Sequence, residues 1–201
     1  MGARNASIDF FDRQFERQVG AGDYALNPFE AAALPHLEGR VLDLGCGLGN
    51  LALAAAERGA RVTAIDACER AVADLARRAA GRGLEVDARV ADLSAWLPER
   101  EWDAVACIGL LMFFAPEQAR RGLDAVRAAV RPGGVAIVNV LVEGTTYLEM
   151  FEPSSHCLFA RGELARAFAG WETLLAREDE FPAAGGRMKR FETRIARRPA
   201  S

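Results

Sequence analysis

The sequence predicts an α/β fold, a largely parallel sheet covered by helices and closed by an antiparallel hairpin. Three observations predict it. Short apolar runs alternate with Ala- and Leu-rich helical stretches along most of the chain. The runs are apolar on both faces, as strands are when helices cover a parallel sheet on each side. Toward the end the alternation stops, and two strand-like runs flank a Gly-containing link, which is a hairpin signal.

The elements follow in order. Ile8, Phe11, Phe15 and Val19 fall at helical spacing in the N-terminal segment. That helix is expected to pack on the core or to lie as a lid over a ligand, and the two readings are compatible. Arg40–Cys46 is the first strand, and Asn50–Arg58 is a helix that stops at Gly59. Arg61–Ala67 is the second strand, Glu69–Gly83 the next helix, and Leu84–Leu93 a third, alternating strand. Trp102–Gly109 is the fourth strand. The helix Pro116–Val130 begins with Pro at a first-turn position. "RPGG", Arg131–Gly134, is expected to break that helix before the fifth strand, Val135–Val142. Trp171–Phe181 and Arg187–Arg198 form the hairpin around "PAAGG". Phe191, Thr193 and Ile195 share a face; Met188 is out of phase, which predicts a bulge near Arg190.

A chain of 201 residues with 51% apolar content suits one domain. It divides into a helical lid segment, residues 1–38, and the sheet with its helices, residues 39–201. The net charge of −3 and pI near 5.6 argue against nucleic acid or an acidic membrane as partner. No secretory leader is visible, and no apolar run reaches the ~20 residues of a membrane span. A cytoplasmic monomer or homodimer acting on a small molecule is expected. Cys46, Cys68, Cys107 and Cys157 form no C-x-x-C pair and read as reduced thiols. His36 and His156 are too few for a His-rich metal site, and no metal is expected. Lys189 is the sole lysine of a chain whose basic residues are almost all arginine, which reads as base-composition bias.

The chemistry centres on "VLDLGCGLGN". Gly45, Gly47 and Gly49 turn the chain from strand to helix and let a ligand approach the backbone. Asp66 ends the next strand nineteen residues after Gly47, the spacing of a carboxylate that grips ribose hydroxyls. A dinucleotide fingerprint would place a third Gly where this chain has Asn50. Asp43 would repel a pyrophosphate but suits a cationic amino group, and Asp92 is placed to accept from an adenine amine. Three carboxylates at neighbouring strand ends therefore point to an adenosine bearing positive charge, S-adenosylmethionine. The alternative is that Asp43 and Asp92 only cap turns.

These motifs, Asp43–Gly49, Asp66, Asp92-Leu93 and "RPGG", resemble the ordered motifs of class I S-adenosylmethionine-dependent methyltransferases. The resemblance implies a Rossmann-like seven-stranded sheet, mostly parallel with an antiparallel C-terminal strand and helices on both faces. The cofactor set becomes Asp43, Gly45, Cys46, Gly47, Gly49, Asp66, Ala67, Asp92, Leu93 and Cys107. A narrower resemblance, carried by "LLMFF", "RGELARAFAGWE" and "GGRMKRFETRIARR", is to tellurite-resistance methyltransferases of the TehB type. It implies oxyanions of tellurium or selenium as acceptors and adds Tyr24 to the cofactor set, through "DYALNPFEAA". It also matches Arg187 to the family's arginine at the start of the final strand. The "PAAGG" turn is shorter than in that family and lacks its His-Arg pair.

Arg187 is the candidate to hold an anionic acceptor, since a guanidinium matches oxyanion geometry. Phe113, Tyr147 and His156 are the candidate pocket lining. "LLMFF" supplies no polar group after the fourth strand. It suits a soft nucleophile that needs no base, such as a thiol-like acceptor or a tellurite- or selenite-type oxyanion. A core-packing turn is the other reading of that stretch. O- or N-methylation of a small metabolite, and cofactor binding without turnover, are the competing functions.

Overall fold

The computed structural model describes residues 6–22, 24–95, 101–152 and 155–200. Seven strands form one sheet: β1 (Arg40–Leu44), β2 (Arg61–Asp66), β3 (Val86–Val90), β4 (Trp102–Ile108), β5 (Val130–Leu141), β6 (Glu172–Ala183) and β7 (Arg187–Arg197). Their spatial order is β3-β2-β1-β4-β5-β7-β6. The first five pair in parallel, and β7 runs antiparallel to both β5 and β6. Among the described residues six α-helices accompany them: α1 (Ala6–Ala21), α2 (Pro28–Ala33), α3 (Asn50–Glu57), α4 (Glu69–Arg82), α5 (Pro116–Ala129) and α6 (Glu163–Ala167). This is the Rossmann-like class I methyltransferase sheet.

Strand periodicity splits the core in two. Leu42, Leu44, Val105 and Cys107 pack with Leu123 and Val126 of α5 and with Phe159 and Leu164. Val41, Val62, Ala104 and Ala106 pack with Leu51 and Ala55 of α3 and Leu75 of α4. Neighbouring residues of one strand thus feed opposite clusters, as side chains that alternate across a pleat must. Each fully buried Val or Leu contributes roughly 1.5–3 kcal/mol.

Three details depart from expectation. The "RPGG" segment lies inside β5. Its own residues have no register partner: Val130 before it pairs with Trp102, Val135 after it pairs with Ala104 and Arg197, and Gly133 N–H donates to Arg198 O at 3.0 Å. The register to β4 slips between Trp102 and Ala104, and a Cβ on Gly134 would sit 2.8 Å from Asp103 O. Second, β3 is confined to Val86–Val90, because Asp92 turns the chain by accepting from Ser94 N–H at 2.8 Å. Third, β7 is regular through Arg190, and the hairpin's irregularity lies on β6 between Thr173 and Leu175. Met188 simply faces the other side of the strand, while Lys189, Phe191, Thr193 and Ile195 share one face.

The two outer strands are β3 and β6. Each carries an Arg–Asp pair along its own edge, Arg89 with Asp87 at 2.6 Å and Arg177 with Asp179 at 2.7 Å. Pro182 sits on β6, where a missing N–H is tolerated.

The switch from β1 to α3 requires glycine at position 49. Its φ is +69°, and a Cβ there would sit 2.5 Å from both δ-carbons of Leu75. Gly49→Ala is expected to destabilise the fold by at least the roughly 1–2 kcal/mol of a left-handed alanine. A thermal melt should show a midpoint lower by several degrees.

Candidate active site

A cavity of about 1110 Å3 opens where the carboxyl ends of β1, β2 and β4 meet. One half is built from the turn after β1. Gly45 and Cys46 donate their N–H groups to Ile65 O at 2.8 and 3.2 Å. Gly47 N–H donates to Asp66 Oδ2 at 2.8 Å, and Cys68 N–H donates to Asp66 Oδ1 at 2.9 Å. Asp66 thereby ties the glycine turn to the end of β2. Arg78 holds the turn from behind: its guanidinium donates to Leu48 O and to Asn50 Oδ1, pairs with Asp74 at 2.8 Å, and stacks on Tyr24. Gln14, Phe15 and Gln18 of α1 face the same space, and a Cβ on Gly47 would meet the Phe15 ring at 3.0 Å. Ile8 and Phe11, expected on this helix face, lie outside the described side chains.

The electrostatics of this half are acidic. Asp43 is 4% exposed, and its Oδ2 has no hydrogen-bond partner. Burial, then the neighbouring Glu30 and Asp66 carboxylates, push its pKa up to about 8. Burial also raises Glu30, although its Oε2 accepts the Asn27 N–H at 2.8 Å in a capping box. Asp92 stands exposed at the rim. No described arginine or lysine lines this half. A buried, unpartnered carboxyl among other acids fits a cation, and a glycine-lined turn fits a ligand laid close against backbone. This donor set fits S-adenosylmethionine, which Asp43, Asp66, Asp92 and the glycine turn could hold.

The other half is largely apolar. Phe29, Met112, Phe113, Met150 and Phe191 line it, together with Asn139 and Lys189. Asn139 is 1% exposed; its Nδ2 donates to Thr193 Oγ1 at 2.9 Å, and its Oδ1 has no partner. Asn139 O accepts the Gly109 N–H at 3.0 Å, which places Asn139 beside the end of β4.

Of the residues expected at the site, Asp43, Gly45, Cys46, Gly47, Gly49, Asp66, Ala67, Asp92, Leu93 and Phe113 lie on the cavity wall. The other five do not. Cys107 is fully buried on the α5 face of β4, opposite the cofactor turn's own cluster. Tyr24 stands behind the glycine turn, on Arg78. His156 stacks on Phe151 with ring centroids 5.0 Å apart, and Tyr147 lies between Arg187 and Lys189. Arg187 faces away, bonded to Glu149 at 2.7 Å and to Ala184 O at 2.9 Å. Its charge is satisfied at the surface, so it is not in position to hold an acceptor. All four cysteines are free thiols, and among the described residues no cluster of three potential metal ligands occurs.

Sequence reasoning missed Lys189, Asn139, Phe29 and Glu30 as wall residues. Two of them carried a signal: Lys189 is the only lysine, and Asn139 is the one polar residue in "VAIVNVLV".

Comparison with known proteins agrees with this geometry. Residues 41–134 match a methyltransferase-domain family. A ubiquinone biosynthesis O-methyltransferase of Xylella fastidiosa is 34% identical over 124 residues, 59% of this chain and 50% of that protein. An uncharacterised protein of Mycobacterium tuberculosis is 39% identical over 108 residues, 52% of this chain and 38% of that one. The chain thus spans about half the length, or less, of the curated relatives it matches. Among solved structures, TehB of Haemophilus influenzae superposes with a TM-score of 0.73 at 23% identity, covering 87% of this chain and 62% of that one. The N-methyltransferase NodS of Bradyrhizobium japonicum superposes with a TM-score of 0.72 at 17% identity, covering 97% of this chain and 100% of that one. At these identities the superpositions speak to the fold. Residues 41–134, which include the acidic, glycine-lined turn, thus match a methyltransferase domain, on a chain that has the fold of class I S-adenosylmethionine-dependent methyltransferases.

Proposed function

We propose that the chain moves the methyl group of S-adenosylmethionine to a small acceptor whose attacking atom already carries an available lone pair. A thiol-like acceptor or a chalcogen oxyanion is of that kind. The observation that carries this reading is the wall after β4. It runs through Gly109, Leu110, Met112 and Phe113, and no histidine or tyrosine is among the described wall residues. A hydroxyl acceptor usually needs a base to take its proton. A second reading, O-methylation, is favoured by Glu30, whose raised carboxyl lies on the wall as a candidate proton acceptor. The Xylella relative's name points the same way. The family match ends at residue 134, before Asn139, Lys189 and Phe191, so it bears on the methyl donor more than on the acceptor.

When bound, the donor supplies a methyl carbon on a positively charged sulfur. The protein's part is alignment and shielding. Asp43, once ionised, balances the donor's positive end. Asp66 and the glycine turn set its height against the sheet, and Met112 and Phe113 keep water from the acceptor side. Orientation of this kind lowers a barrier by roughly 7–11 kcal/mol.

The acceptor class is tested by following S-adenosylhomocysteine formation across thiols, selenite, tellurite and phenols. Product with thiols or the chalcogen oxyanions is expected. Product with phenols alone would move the assignment to O-methylation, and donor binding without any product would leave a binding protein.

Asp43 generates two further expectations. At pH 7 the free protein holds the Asp43 proton, because its pKa is about 8. Binding a cationic donor should release that proton, so the calorimetric heat should vary with the ionisation enthalpy of the buffer. Asp43→Asn should weaken donor binding on the order of 10–100-fold, as loss of a charged hydrogen-bonding group does.

The stability effect of the same substitution has the opposite sign. The carboxyl's pKa is raised from 3.8 to about 8, so its contribution is fully present below pH 3.8 and lost as the pH rises through 8. Asp43→Asn, which cannot ionise, should melt above wild type at pH 8–9, and the difference should vanish near pH 4.

A further inference from the structure

Among the described residues, Lys189 is a cation with no ion-pair partner, on a largely apolar wall. Glu149, Glu180 and Asp179 are paired with Arg187, Arg190 and Arg177, and Glu30, on the same cavity wall, is tied to the Asn27 N–H of its capping box. No carboxylate lies within ion-pair distance of Lys189 among the described residues, and burial alone lowers its pKa. Its Nζ lies 4.8 Å from the centre of the Tyr147 ring, and Phe181 stands opposite it on β6. Apart from two histidines, arginine makes up every other basic residue of the chain, yet no arginine is among the described residues of the cavity wall.

The surroundings are flat and apolar. Phe191, two residues along the same strand face, packs on Phe29 at 4.9 Å and on the cluster that holds Met112, Phe113 and Met150. Asn139 adds a buried amide with one end bonded to Thr193 and the other unpartnered. A bare, strongly hydrated oxyanion would lose most of its water here for one ammonium group. A molecule with an apolar body and one acidic group would lose far less.

We propose that the methyl acceptor is an organic acid. Its flat apolar body sits among Phe29, Phe113 and Phe191, its acidic group pairs with Lys189, and a hydrogen-bonding group meets Asn139. This deepens the reading that the chamber beyond Gly109 takes the acceptor. It makes Lys189 the residue that selects acceptors by charge, and within that reading it favours acidic thiols over inorganic oxyanions.

Binding to protein saturated with S-adenosylhomocysteine tests this without requiring turnover. Three acid and amide pairs serve as probes in calorimetry: benzoate and benzamide, 2-naphthoate and 2-naphthamide, indole-3-acetate and its amide. Selenite is the inorganic control. At least one acid should bind about tenfold or more tightly than its amide, as a charge-assisted hydrogen bond gives. Lys189→Met should abolish that preference, and Lys189→Arg should retain it. Both variants should still bind S-adenosylhomocysteine, which reports an intact donor half. Because Lys189 is the only lysine, mass spectrometry after mild acylation reads its accessibility directly, and the preferred acid should protect it.

No acid preference in wild type, a preference that survives in Lys189→Met, or selenite binding as tightly as the best acid would overturn the proposal. Failure of the protein to bind S-adenosylhomocysteine would instead strike the methyl-transfer reading on which it rests.

Discussion

A carboxyl that sits almost wholly out of water, with two more acids beside it, governs the rest of this molecule. Asp43 stands at the end of β1 with Oδ2 unpartnered, and Glu30 and Asp66 both oppose its ionisation. Such an arrangement costs stability in the ligand-free protein and is offset by the two apolar clusters on either side of the sheet. It also determines what the turn after β1 can hold. An anionic phosphate is excluded by repulsion, and a positively charged adenosine derivative is favoured.

The turn itself is held before any ligand arrives. Asp66 accepts from two backbone N–H groups, and Arg78 gathers Leu48 O, Asn50 and Asp74 from the far side. These contacts come from α4 and β2, which are themselves anchored in the core through Leu75 and Val62. Donor recognition therefore draws on the whole N-terminal half of the sheet, the region that the family match spans. An ordered turn also reduces what must be immobilised on binding.

The donor side was legible in the sequence because its chemistry is local. Asp43, the three glycines, Asp66 and Asp92 lie at three consecutive strand ends, where the Gly47–Asp66 spacing suggested a ribose and the three carboxylates together suggested a cationic adenosine. The acceptor side was not legible in the same way. Its wall is assembled from α2, the turn after β4, β5 and β7, which only the sheet order brings together. Arg187 was chosen for its chemistry and its place at the strand start, but Glu149, far away in sequence, turns it outward. Lys189, two positions on, occupies the same strand face nearer the core, and there the strand meets the cavity. The bulge expected from Met188 failed for a related reason: one out-of-phase apolar residue is enough to suggest a register break, but here it covers the reverse side of a regular strand.

The charged fringes of the sheet carry a consequence of their own. Any open sheet ends in two rows of unused backbone donors and acceptors, and a second copy of the chain can align with them. Here both terminal strands bear Arg–Asp pairs along the rim, and one adds a proline. An incoming strand would have to strip water from those ions and leave a proline without its hydrogen bond. The molecule thus guards itself against sideways stacking into aggregates through side chains that take no part in its chemistry.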